Sequence, residues 1–322
     1  METSLAVPEV VEIEKAADLG ERARSFAVAA RATATLDAYA SDWTHFTAWA
    51  DAHGVEALPA APETVALYIT SMADDFKPST ISRRLSAISV AHQHAGHPTP
   101  TQHAAVRSVM TGIRRTLGVA PRQVAPATIG EVRKMVARLD GATIDIRDRA
   151  ILLLGFAGAF RRSELVALDL ADLTDSPSGT VVRVRRSKSD QERKGDTKAI
   201  PLGTDPETCP VRALKRWIEV GGIEDGPLLR GVNRHGNVSD KRLSDRAVAL
   251  VVKRAAERAG LDPTMYAGHS LRAGFVTTAA ANGASERAIA RQTGHAPGST
   301  VLRTYIRHST VFTDNAVTMV GL

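Results

Sequence analysis

The chain has 322 residues, 43% of them apolar and 4% aromatic, which is enough apolar matter for two buried cores. Its one cysteine, Cys209, excludes an internal disulfide framework and a cysteine-built zinc module, and suits a reducing cytoplasm. The longest apolar run, Ala150 to Phe160, is far too short to span a bilayer, and no signal-peptide pattern opens the chain, so no membrane role is expected.

The net charge of +6 is unevenly spread. Residues 1–75 carry 4 Lys/Arg against 13 Asp/Glu, whereas residues 76–130 carry 7 Lys/Arg and no carboxylate. An acid-free stretch of that length in a chain that is 24% charged points to a surface that tracks phosphates. Lys77, Arg83, Arg84, Arg107, Arg114, Arg115 and Arg122 are its cations and the candidate DNA-binding residues.

Residues 1–28 read as a mobile acidic leader. From Thr33 to about His53, Leu36, Tyr39, Trp43, Phe46 and Ala50 recur at helical spacing, and core packing is the better reading of these aromatics than a base-stacking platform. Pro62 opens a second helix with Val65, Ile69 and Met72 inward. A third runs from Pro78 to His92, with Ile81, Leu85 and Ile88 inward and Arg83 and Arg84 outward. A fourth covers about His103 to Leu117, with Val106, Val109, Ile113 and Leu117 on its core face, and Arg107 and Arg114 sharing the other. His92, His94, His97 and His103 span a helix end and a proline turn with no nearby carboxylate, so no metal site is expected there. The 29–117 segment is thus a helical domain, and 118–127, with two prolines and a glycine, reads as a linker.

The second domain is expected over 128–308. Thr128 and Glu131 form a capping box, and Ile144–Ala159 reads as a central buried helix that delivers Arg161, Arg162, Ser163 and Glu164. Thr180–Arg186 alternates, with Arg183 and Arg185 between Val182 and Val184, and pairs with Ala199–Leu202 as a hairpin with a basic face and Lys188 near its tip. Pro210 and Ser244 start further helices. His269 and Arg272 are three apart and can address one anion together; Gly283 interrupts, Ser285 caps a helix that Gly294 closes before His295, and Tyr305 follows the Pro297–Gly298 break.

These residues suit attack on a phosphodiester, which needs an in-line nucleophile, charge offset on the non-bridging oxygens and a proton for the leaving oxygen. Tyr305 supplies the nucleophile; Arg161 and Arg272 form a guanidinium clamp; Lys188 donates the proton, with Lys194 and Lys198 nearby in sequence; His269 orients or deprotonates the phenol; and His295 adds a hydrogen bond. Glu164 lies three residues after Arg161, where it can hold a guanidinium or a histidine in place. There is no P-loop and no carboxylate cluster suited to magnesium, so no cofactor, metal or nucleotide is expected.

In this order, AFRRSEL, RSKSDQ, GHSLR, TGH and TVLRTYIRH resemble the tyrosine recombinase (phage integrase) family. TISRRLSAISVAHQHAGHPTP with VRSVMTGIRRTLG is similar to its helical core-binding domain, particularly that of Cre-like members, and the likeness covers roughly residues 30–320. The resemblance implies a mainly α, two-domain fold: an N-terminal core-binding (SAM-like) helical bundle and a C-terminal mixed α+β catalytic domain with a small β-sheet, together a C-shaped clamp on DNA. It carries the family's constellation onto Arg161, Lys188, His269, Arg272, His295 and Tyr305, with Glu164 in the acidic accessory position. The interval from His295 to Tyr305 is one residue longer than is usual in the family, which implies a bulge, and Arg162 competes with Arg161 for the clamp.

The implied activity is site-specific recombination through a 3′-phosphotyrosyl intermediate and a Holliday junction. The implied partners are double-stranded DNA with paired recognition sites, a homotetramer on DNA built from monomers, and an accessory DNA-bending protein, in the bacterial cytoplasm at the nucleoid. Residues 309–322 would form a helix docking on a neighbouring subunit. Two other readings share the residues: type IB topoisomerase-like relaxation, and a non-catalytic DNA-binding regulator.

Overall fold

Prolines open helices at three places that the pattern predicts, because a missing N–H costs nothing in a first helical turn. The computed structural model describes residues 19, 22, 33–118, 124–185, 195–296, 298–310 and 320, which divide into two units after Arg122. Most of the leader, Arg122, Lys188 and nearly all of the 309–322 tail lie outside the described residues. None of the described helices is long and apolar enough to cross a membrane.

The first unit consists of α1 (Thr33–Ala52), α2 (Pro62–Ser71), α3 (Pro78–His94), a 3₁₀ turn at Pro100–Gln102 and α4 (Ala104–Leu117). Phe46, Tyr68, Ile69, Ile81, Ile88 and Val106 are fully buried between them. Trp43, Phe46 and Trp49 of α1 pack on one another or on Tyr68, with the Phe46 and Tyr68 ring centroids 4.9 Å apart, so these three are core side chains. Met110 takes the inward place expected of Val109, and Leu117 stands exposed at the end of α4. His92 is buried: its Nε2 accepts from the Ala60 N–H at 2.9 Å, and Nδ1–H donates to the Ile88 carbonyl at 2.8 Å. With both ring nitrogens engaged, it is a structural histidine.

The outward placement of Arg84 is corrected. Its side chain is buried, stacks 4.1 Å over the Phe76 ring, lies 3.6 Å from Asp42 and reaches His45 Nε2 at 3.2 Å. A guanidinium so enclosed has no route to a phosphate. Arg83 is exposed but holds Asp42 in a two-pronged pair at 2.8 and 2.9 Å, so Asp42 on α1 is the anchor for both arginines of α3.

The second unit begins with α5 (Ile129–Val136), where Glu131 Oε2 accepts from the Thr128 N–H at 2.6 Å in the expected capping box. The central helix α6 (Thr143–Ala157) is buried along most of its length and gives way to the short α7 (Arg162–Ala167). β1 (Leu173–Ser176), β2 (Gly179–Val184) and β3 (Asp196–Pro201) form an antiparallel sheet in that order, with Val182 opposite Lys198. The predicted hairpin is therefore β2–β3; β1 extends it, and a two-stranded ribbon of β4 (Arg230–Val232) and β5 (Val238–Arg242) stands apart. The basic face of β2 is largely offset by acids: Arg183 pairs with Asp172, and Arg185 with Asp169 and Asp172.

The chain between the sheets forms α8 (Pro210–Val220), whose Trp217 is fully buried and donates to the Leu228 carbonyl at 2.8 Å. α9 (Asp245–Arg258), α10 (Ser270–Ala281), α11 (Glu286–Thr293) and α12 (Thr300–Thr310) follow. Val276 and Ala280 of α10, Ile289 of α11 and Leu302 of α12 form a small core of their own, which fixes the last three helices against one another. Arg161, His269, Arg272 and His295 lie at or beside helix ends, whereas Tyr305 lies in the middle of α12.

Candidate active site

Arg161 precedes α7, and Glu164 in the first turn of that helix secures it twice. Glu164 Oε2 accepts from the Arg161 backbone N–H at 2.9 Å, and Oε1 accepts from the guanidinium at 2.5 Å. Glu164 is buried, so this carboxylate is spent on Arg161 and does not face solvent. The competition from Arg162 does not arise. Its chain runs over Gly268, where an added Cβ would fall 2.0 Å from Arg162 Cδ, and its guanidinium turns toward Asp245 at 3.8 Å.

Arg272 lies one turn into α10 and is buried. It donates to the Ala159 carbonyl at 2.7 Å and, through Nη2, to His295 Nε2 at 3.2 Å. Burial, then the proximity of Arg161, lowers its pKa to about 10, so it remains a cation at neutral pH. Glu164 and an ionised Tyr305 phenolate both act in the opposite sense on Arg272, which puts the phenol within electrostatic reach of the clamp.

His295 is reached through Gly294, whose left-handed conformation (φ 66°) ends α11 and reverses the chain. A guanidinium can only donate, so Nε2 is an acceptor and the ring proton sits on Nδ1, donating to Thr293 Oγ1 at 2.8 Å. The Thr293 hydroxyl in turn donates to the Ile289 carbonyl at 2.8 Å. Burial first, then Arg272, Arg161 and Lys198, push His295 down to about 4, so the ring is neutral at pH 7. Thr293→Val should lose this orientation and slow DNA cleavage about fivefold, in line with one hydrogen bond of ~1 kcal/mol, while Thr293→Ser keeps it. Single-turnover rates of the two variants check this, and equal rates would show that the threonine has no part in orienting the ring.

Tyr305 is half-buried on α12, packed on the Val276–Ala280–Ile289–Leu302 cluster. Of the chain's 4 tyrosines, two are poorly suited to act as nucleophiles. Tyr68 is fully buried, which pushes its phenol up to about 12; burial together with a hydrogen bond to Glu131 does the same to Tyr266. His269 caps α10 from an exposed position one turn before Arg272.

By sequence, Lys198 stands behind Lys188 as a proton donor. In the structure Lys198 lies on β3, is 3% exposed, and donates to the Gly158 carbonyl at 2.8 Å, with its ammonium 4.7 Å from the centre of the Phe160 ring. Burial pulls it down to about 8, opposed by Glu164. Beside His295 an opening is lined by Arg287, Arg291 and Arg303 with Asp196 and Glu286, three cations and two acids that no sequence motif marks, Glu286 lying 3.3 Å from Arg303. Lys77, Arg83, Arg107, Arg114 and Arg115 belong to the first unit. There, Arg107 and Arg115 line a shallow groove of α4 with Ser108, Thr111 and Gly112. Arg114, expected beside Arg107, instead turns to Ser82 at 2.9 Å.

Two guanidiniums, an imidazole and a phenol thus converge from α7, α10, α11 and α12 with a single buried carboxylate among them, a set that lacks one anion. Residues 128–311 match the phage integrase family. The chain belongs to the phage integrase family. It is 43% identical over 291 residues to the integrase/recombinase xerD homolog of Selenomonas ruminantium, covering 89% of this chain and 85% of that protein. It is 26% identical over 284 residues to the recombinase cre of Escherichia phage P1, covering 82% and 80%. Its fold is similar to that of lambda integrase, solved as a tetramer bound to a Holliday junction, with TM-score 0.58 and 18% identity over 85% of this chain and 72% of that one. This integrase-family chain is a site-specific tyrosine recombinase, an enzyme that cuts and rejoins DNA.

Proposed function

We propose that the enzyme cleaves each strand by attack of Tyr305 on a phosphodiester, leaving a 3′-phosphotyrosyl bond and a free 5′ hydroxyl, and that it reseals by the reverse attack. The observation that carries this reading is a charge imbalance: Arg161, Arg272 and Lys198 face only Glu164 and Asp196, three cations against two carboxylates, and a phosphodiester supplies the missing negative charge. Arg161 and Arg272 hold the non-bridging oxygens, so that charge developing in the transition state meets donors already in place. Exposed at the start of α10, His269 takes the phenolic proton. His295 brings a neutral ring to the phosphate, and Lys188 protonates the departing oxygen. Each ester made replaces one broken, so the joint closes without nucleotide hydrolysis. No step in this scheme calls for a cofactor.

Exchange then runs between two matched duplex sites through a Holliday junction, within a homotetramer that forms on DNA from monomers. An accessory DNA-bending protein sets direction, and residues 309–322 dock on a neighbouring subunit. The enzyme works at the bacterial nucleoid. The family membership and the likeness to a junction-bound tetramer support this reading over simple relaxation or silent binding. A plasmid bearing two copies of the protected site distinguishes them: recombinant circles are expected, whereas relaxed circles without recombinants favour the topoisomerase-like alternative.

The groove of α4 contributes to duplex binding through Arg107 and Arg115, and both units supply cations to phosphates. Arg107→Ala with Arg115→Ala should weaken binding on any sequence and flatten the log K against log salt slope by about 2, one unit for each phosphate no longer neutralised. An unchanged slope in gel-shift titrations would place this face away from DNA.

A further inference from the structure

The end of α6 collects polar side chains from three other elements. Three successive carbonyls there accept from side chains distant in sequence: Ala157 from Gln292 on α11 at 2.8 Å, Gly158 from Lys198 on β3 at 2.8 Å, and Ala159 from Arg272 on α10 at 2.7 Å. The last carbonyls of a helix have no partner within it and carry the negative end of its dipole, so cations are favoured at this spot. Two residues later the chain presents Arg161.

We infer that Lys198 is a positioning residue of the cleavage site: by gripping the Gly158 carbonyl it holds the turn from which Arg161 reaches the scissile phosphate.

The turn needs holding. Ala159 adopts φ 45°, a left-handed conformation that a residue with a Cβ rarely takes unless its surroundings enforce it. The Phe160 ring folds back over Gly158 so closely that a Cβ there would lie 2.0 Å from it, and the Lys198 ammonium lies 4.7 Å from the centre of the same ring. Lys198 reaches inward because β3 alternates: Lys198 and Ile200 are buried, while Thr197, Ala199 and Pro201 face out. Its ammonium is engaged with a carbonyl and an aromatic face, so it is poorly placed to reach a leaving oxygen, and proton donation stays with Lys188.

The charges facing Lys198 are Glu164 and Arg161 from the α7 end, Arg272 from α10, His295 after α11 and Asp196 on its own strand. Glu164 is already bound to Arg161, so Lys198 sits with two guanidiniums, a carboxylate shared with one of them, and the weaker influence of Asp196. Its charge is therefore held weakly, and in the DNA-free enzyme the ammonium gives up its proton as pH rises through about 8. Loss of that proton weakens the hold on Gly158 and with it the placement of Arg161.

This inference rests on the reading of Arg161 as a phosphate clamp, and the test separates the two. The probe is a nicked suicide duplex carrying the sequence that the protein protects in footprinting, and the readout is the second-order rate of covalent adduct formation. Lys198→Met should lower this rate about 100-fold with duplex binding within about threefold of wild type, the size of effect that follows removal of one preorganising group. The wild-type rate should fall above pH 8, and Lys198→Arg, which keeps its charge, should restore cleavage and remove that fall. A merely structural lysine would leave the pH profile where it is. Lys198→Met cleaving within about threefold of wild type, or the alkaline fall persisting in Lys198→Arg, overturns the inference. Should both variants fail to fold, a wild-type rate that is flat from about pH 7 to about 9.5 overturns it equally. Arg161→Ala runs in parallel: normal cleavage there sinks the clamp reading itself, whereas a dead Arg161→Ala beside a normal Lys198→Met sinks only the role of Lys198.

Discussion

Replacing Arg272 by lysine is expected to slow covalent adduct formation by about 10²–10³-fold, the loss of ~3–4 kcal/mol that follows removal of one preorganised donor. The charge is kept; what is lost is the fork. Arg272 uses one nitrogen on the Ala159 carbonyl at 2.7 Å and the other on His295 at 3.2 Å, while lying close enough to Tyr305 to feel its charge. A lysine ammonium is a single point on a flexible stem. It can satisfy the buried carbonyl or face the phosphate, and whichever group it abandons stays unpaired in a buried site. Duplex binding should change little, because it is summed over many phosphates. Rates within about tenfold of wild type would mean that charge alone, without the fork, suffices at this position.

The largest effect on stability is expected at Gly274. This residue lies in α10 where that helix meets the segment entering the second unit, and an added Cβ would fall 1.7 Å from the Ala127 carbonyl oxygen. The obstacle is backbone, held by the Ala127 N–H donating to Ser270 O at 2.8 Å and the Ala125 N–H donating to Met265 O at 2.7 Å. No rotamer change relieves that clash. Gly274→Ala should therefore destabilise the second unit by about 3 kcal/mol or more, at or beyond the upper end for overpacking. The N-terminal unit, with its separate core, should be spared. Denaturant titration in a background where Trp43 and Trp49 of the first unit are replaced by phenylalanine leaves the buried Trp217 to report the second unit, and a midpoint unchanged by Gly274→Ala would contradict the close approach.

Much of this site was legible because its residues punctuate elements. Arg161 follows the end of α6, Arg272 stands just inside α10, and His295 follows the glycine that closes α11. Glu164 at three residues from Arg161 could be read as its holder from spacing alone. The misses have equally local reasons. Arg84 lies three residues after Ile81 and four before Ile88, squarely on the buried stripe of α3, and only the habit of sending arginines to solvent placed it outside. Arg115 lies eight residues from Arg107 with Thr111 midway, so it, and not Arg114, shares that groove. Lys198 shares strand parity with buried Ile200, a signal that composition-minded reading of the hairpin passed over. β1 and β5, short and mostly exposed, carry too little alternation to be seen without their partners.

The other three tyrosines stand elsewhere: Tyr68 in the first core, Tyr266 against Glu131, and Tyr39, half-buried, on α1. The most direct measurement is therefore to trap the adduct on the suicide duplex, digest it and identify by mass spectrometry the amino acid joined to DNA. The expected result is a 3′-phosphate ester on Tyr305, absent from Tyr305→Phe. An ester on any other side chain, a 5′ linkage, or an adduct that survives in Tyr305→Phe would contradict the account.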